Sequence, residues 1–87
     1  MKQTEIIDQI PDRIYLKIIF ETQDYTWKFF ALKINLTRLR LKINMFNNSD
    51  TVKIECCNEL RGLLKKSVNI PNARDDLDKI FTLKDQF

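Results

Sequence analysis

Apolar and polar residues alternate along four stretches of this chain, and a period of two predicts strands with one buried face. In the first, Ile14, Leu16, Ile18 and Phe20 alternate with Tyr15, Lys17, Ile19 and Glu21. Phe30, Leu32, Ile34 and Leu36 make the second, Leu39, Leu41, Ile43 and Met45 the third, and Val52, Ile54 and Cys56 the fourth. The phase slips at Thr37 and Arg38, as it must where an antiparallel pair reverses and keeps its apolar residues on one side. Pairing Phe20 with Phe30, Leu36 with Leu39 and Met45 with Val52 preserves that side through all three reversals. Polar residues suit two of the turns, at Gln23-Asp24-Tyr25 and at Asn47-Asn48-Ser49-Asp50, the latter because Asn tolerates the left-handed backbone region. Thr37-Arg38 is poor chemistry for a tight primed turn, which leaves a wider loop, or a bulge in one bent strand, as alternatives there.

A second period competes over residues 26–46. Phe29, Leu32, Leu36, Leu39, Ile43 and Phe46 recur at spacings of three and four, the apolar seam of a basic helix. That helix strands Phe30, Ile34, Leu41 and Met45 off its seam. The strand assignment is preferred because its register is self-consistent.

Helical signals flank the alternating part. Thr4 is a candidate cap for a short helix ending at Ile10, with Ile6, Ile7 and Ile10 on its apolar side, before Pro11 and Asp12 break it. Asn58 caps a helix with Leu60, Leu63, Leu64 and Val68 on one face, and Lys65 and Lys66 near its negative end. Pro71 interrupts, and Asn72 with Asp75 resembles a capping box opening a last helix with Leu77, Ile80 and Phe81. The predicted class is α+β: a four-stranded antiparallel β-meander with C-terminal helices packed on one face and a short N-terminal helix, in a single domain over residues 1–87.

Composition narrows the function classes. At 87 residues the chain can bury one modest core but not a deep cleft between lobes. With 44% hydrophobic and 31% charged residues, one Gly and two Pro, it is not a disordered or low-complexity sequence. Abundant Lys, Ile and Asn suggest an AT-rich genome such as that of a phage, plasmid or low-GC microbe. The net charge of +3 is unevenly spread, since residues 26–46 carry five basic residues and no acidic one. No apolar run is long enough to span a bilayer, and acids interrupt the N-terminus where a signal peptide would have its apolar core, so a cytoplasmic protein with no membrane contact is expected.

On such a sheet the face opposite the helices carries Tyr15, Lys17, Trp27, Phe29, Lys33, Arg38, Arg40, Lys42, Asn44 and Lys53. Rings and cations together suit single-stranded DNA or RNA, because bases stack on exposed rings for about 1–3 kcal/mol each while Lys and Arg neutralise phosphates. The expected contacts are Trp27 and Phe29 on bases, with Lys17, Lys33, Arg38, Arg40, Lys42 and Lys53 on the backbone. The alternatives are that the two rings pack against the N-terminal helix or a second subunit while the basic residues merely solvate a sheet face, or that the face docks on an acidic protein surface, as a phage- or plasmid-encoded inhibitor or accessory factor would. An exposed edge strand, or the helical alternative for residues 26–46, would favour a homodimer. Four strands followed by a helix, from Ile14 to Val68, resemble in topology the transcriptional coactivators that bind single-stranded DNA. The chain has Ile54-Glu55-Cys56-Cys57 where that family would carry a glycine-containing motif, and no site is carried over.

Catalytic parts are sparse. There is no His, no glycine-rich phosphate loop and no Ser or Cys beside a candidate base, so no enzyme, catalytic residue, metal or cofactor is expected. Adjacent Cys56 and Cys57 suit neither a zinc pair nor a redox motif; Cys56 reads as core and Cys57 as an exposed free thiol. Asp75, Asp76 and Asp78 could hold magnesium, but a negatively charged first helical turn explains them more simply.

Overall fold

The computed structural model describes residues 2–21 and 26–86. Among the described residues five α-helices follow one another: α1 (Gln3–Gln9), α2 (Asp12–Glu21), α3 (Phe30–Met45), α4 (Asp50–Ser67) and α5 (Arg74–Gln86), the last preceded by a 3-10 turn at Pro71–Ala73. No described residue lies in a strand, so the expected α+β meander is corrected to an all-α fold.

The reason for the error is visible in α3. Residues two apart on a helix are turned by about 200°, so an alternating run splits between opposite faces. Leu32, Leu36, Leu39 and Ile43 are at most 2% exposed and form the inner face. Phe30, Ile34, Leu41 and Met45 stand 48% to 77% exposed on the outer face. Two helical stripes, interleaved, mimic the period of a strand. Thr37 and Arg38 lie in mid-helix, with no reversal, and Thr37 Oγ1 donates to the carbonyl of Lys33 one turn back at 3.2 Å.

The other two expected strands fail in related ways. In α2 the buried residues are Ile14, Tyr15, Ile18 and Ile19, two pairs at helical spacing, with Leu16 and Phe20 packed at the margin of the core. In α4 the buried residues are Cys56, Cys57, Leu60, Leu64 and Ser67, while Ile54 is 52% exposed, so Val52, Ile54 and Cys56 do not share a face. Asn58 is not a cap but a mid-helix residue whose Oδ1 accepts from Arg61 at 2.7 Å. Thr4 likewise sits inside α1, and Asn72 lies in the 3-10 turn. The turn expected at Gln23-Asp24-Tyr25 lies outside the described residues.

The turn after α3 is where the Asn reading holds. Asn47 and Asn48 have φ of 55° and 60°, the left-handed region. The Asn47 amide donates to the Asn44 carbonyl at 3.2 Å and the Asn48 amide to the Ile43 carbonyl at 2.9 Å, the paired bonds that close a helix C-terminus. The turn joins two helices rather than two strands. α3 and α4 then run antiparallel, α1 and α2 pack on α4, α2 also meets α3, and α5 closes against α2.

Arg61 of α4 fixes the corner between α1 and α2. Its guanidinium donates to the Ile10 carbonyl at 3.3 Å and to Asp12 Oδ1 at 2.8 Å, and lies 4.8 Å from the centre of the Tyr15 ring. The Tyr15 hydroxyl, fully buried, donates to the Ile7 carbonyl at 2.6 Å.

Candidate protein-interaction face

The expected nucleic-acid face required a sheet to hold its residues together, and the helices distribute them otherwise. Lys17 is on α2, 3.7 Å from Glu21; Trp27 and Phe29 precede α3; Lys33, Arg38, Arg40 and Lys42 are on α3; Lys53 is on α4. Trp27 is 8% exposed and belongs to the core, with Lys79 Nζ 5.9 Å from its ring centre, and Phe29 packs against the same core. The rings therefore belong to the core of the chain and do not stand on an open face. Binding of single strands, or of an acidic protein surface, by a basic aromatic sheet is withdrawn with the sheet, and so is the topological resemblance to the coactivators.

Three cations of α3, Arg38, Arg40 and Lys42, are also occupied. Arg38 Nη2 bonds Glu59 Oε2 at 2.7 Å, and Lys42 Nζ reaches Glu59 Oε1 at 3.3 Å and Glu55 Oε2 at 4.0 Å. The Arg38 hydrogen bond, helped by Lys42, holds the Glu59 carboxyl below its ordinary range. Arg40 Nε donates to the Ile19 carbonyl of α2 at 2.9 Å. These contacts clamp α3 to both neighbours and leave its outer face apolar.

That face is a shallow trough of about 680 Å³ lined by Ile34, Thr37, Arg38, Leu41, Lys42, Met45 and Phe46. Exposures are 48% for Ile34, 58% for Leu41, 77% for Met45 and 54% for Phe46, and Phe30, one turn before Ile34, is 70% exposed. Scattered single apolar residues need no explanation, but several on one helix face make a patch that is a candidate contact surface. No family model, curated protein or solved structure matches this chain. The trough is thus read on its chemistry alone.

Among the described residues, no group of three His, Cys, Asp or Glu side chains is placed to hold a metal ion. Asp75 is bonded to Lys28 Nζ at 2.6 Å, and Asp76 accepts two backbone amides instead. Cys57, expected at the surface, is fully buried beside Cys56. Burial pushes both thiols up, Cys57 to about 11, with the nearby Asp12 adding to the shift. A protonated, enclosed thiol has no nucleophilic role. No described helix is long and apolar enough to cross a membrane.

The sequence did carry the signal for the trough. Phe30, Ile34, Leu41 and Met45 are the residues that the helical seam left over, and a leftover stripe at helical spacing is a second apolar face. The role of Asp76 had no comparable signal, because its partners are backbone amides far away in the chain.

Proposed function

We propose that this protein is a non-catalytic helical assembly module that acts by burying the outer face of α3 against an apolar surface of a protein chain. One observation carries the reading: Phe30, Ile34, Leu41, Met45 and Phe46 are large, apolar and exposed on a helix whose ends are bonded and whose Arg38, Arg40 and Lys42 are held within the chain. A pre-formed, rigid apolar face loses little conformational entropy on association, and this favours its use as a docking surface. The recognition is hydrophobic rather than electrostatic, since Arg38 and Lys42 already have carboxylate partners. The two cysteines are free, consistent with a reducing cytoplasm.

The test is native mass spectrometry of tagged protein isolated from its own host, beside an Ile34→Ser/Leu41→Ser variant. The wild-type chain is expected to carry a stoichiometric protein partner, itself or another, that the variant loses while keeping its helical circular dichroism. A partner-free wild-type chain that behaves like the variant would overturn the reading.

A further inference from the structure

Resting on that assembly reading, we propose that the trough on α3 is covered by the same trough of a second copy of this chain, the two α3 helices crossing antiparallel about a two-fold axis at Thr37 and Arg38. The spacing is the first argument. Phe30, Ile34, Leu41 and Met45 are separated by four, seven and four residues, a pattern that reads the same in both directions. Set antiparallel, it lays Phe30 against Met45 and Ile34 against Leu41 of the second copy, and then repeats both contacts by symmetry. An interface between identical copies needs such a self-complementary patch, because each residue must find its partner on the same surface it belongs to.

Area and charge agree with it. At roughly 200 Å² for a fully exposed large side chain, the five exposed residues offer about 600 Å². A standard interface takes about 800 Å² from each side, and Thr37, Arg38 and Lys42 in the trough wall supply the difference. Two basic helices would repel if their cations were bare. Here Glu59 and Glu55 hold Arg38 and Lys42 from within the same chain, so a second α3 meets compensated charges at those two positions, and the antiparallel arrangement opposes the helix dipoles. An anionic lipid surface could also take an apolar stripe with basic flanks, but it would have no use for a spacing that is symmetric end to end.

The experiment is sedimentation equilibrium of the full chain, paired with cross-linking by mild oxidation. Wild-type protein is expected at the mass of a dimer, and Leu41→Glu at the mass of a monomer with unchanged helical circular dichroism. Ile34→Cys and Leu41→Cys proteins, when mixed, should form the disulfide-linked dimer about tenfold more readily than either alone, because only the mixed pair meets at bonding distance. Native Cys56 and Cys57 are buried and contribute little background. A monomeric wild-type chain overturns the proposal, as does a dimer indifferent to Leu41→Glu, or self-linking of either single variant as fast as the mixture. A monomer that floats with phosphatidylglycerol vesicles gives the stripe to lipid and overturns both this proposal and the assembly reading. A monomer that keeps a different host protein, lost in Leu41→Glu, overturns only the self-pairing.

Discussion

The side chain of Asp76, on α5, takes the backbone amide of Phe29 at 2.6 Å through Oδ2 and that of Lys28 at 2.9 Å through Oδ1. Phe29 is the N-cap residue just before α3, and its own side chain makes no cap bond. A local Ser or Asp cap would bond an amide inside the first turn, whereas here a carboxylate on α5 takes the amides of Phe29 and of Lys28 before it and so anchors the chain as it enters α3. Asp76 is fully buried, so the bonds are shielded from water. α3 is thereby registered against α5, and its outer face is held at a fixed angle to the rest of the molecule.

Asp76→Ala should therefore be the most damaging polar substitution in the chain. It leaves two amides unsatisfied beside the core, at a cost of about 2–4 kcal/mol. Asp76→Asn, which keeps one acceptor oxygen, should cost roughly half as much. Urea unfolding followed by circular dichroism measures both; equal midpoints for the two variants would mean that the amides find other acceptors.

How much of this was legible before the structure can be judged from single elements. The Asn47-Asn48 turn was readable because its cause is local, two residues that tolerate positive φ. The last helix was readable from Leu77 and Ile80, both now in the core. α3 was not, because its inner and outer stripes lie on opposite faces and their contributions to amphipathicity cancel, which leaves alternation as the visible pattern. α2 is apolar at so many positions that both periods fit it. Trp27 was placed on the wrong side for the same reason: once a sheet was assumed, its neighbours fixed its face.

At alkaline pH the fold should lose stability as two buried groups are driven to ionise. Burial raises Tyr15 to about 12 from an ordinary 10.0, and Cys57 to about 11 from 9.0. Each folded value exceeds the unfolded one, so the contribution is complete below pH 9 and is lost as pH climbs through 11 and 12. The loss is on the order of 2 kcal/mol per group. Tyr15→Phe should flatten the upper part of that decline in a pH series of urea midpoints, while costing about 1 kcal/mol at neutral pH for the bond to Ile7. An unchanged alkaline profile would place the loss elsewhere.

Both thiols should be silent in the native protein. Cys56 and Cys57 have no exposed surface, and Cys57 Sγ lies 3.6 Å from the Asp12 carbonyl. Labelling by a disulfide reagent at neutral pH is expected to follow global unfolding and to accelerate with urea in step with loss of helix. A fast phase in the absence of denaturant would show that the α2–α4 contact opens locally.

Leu39 and Leu41 separate the two architectures in one pair of substitutions. On a strand they would face the same side and cost alike. On α3 they are turned by about 200° from each other, with Leu39 1% exposed among core residues and Leu41 58% exposed in the trough. Leu39→Ala should cost about 2–5 kcal/mol through lost burial and the cavity left behind. Leu41→Ala should change the stability of an isolated chain by less than about 0.5 kcal/mol. Where copies associate through the trough, Leu41→Ala should instead lower the melting temperature in a concentration-dependent way, since association adds stability only to the folded state. Leu39→Ala should shift it at every concentration. The two responses together place each leucine on its own face of α3, and equal costs at all concentrations would remove both the helix and the trough.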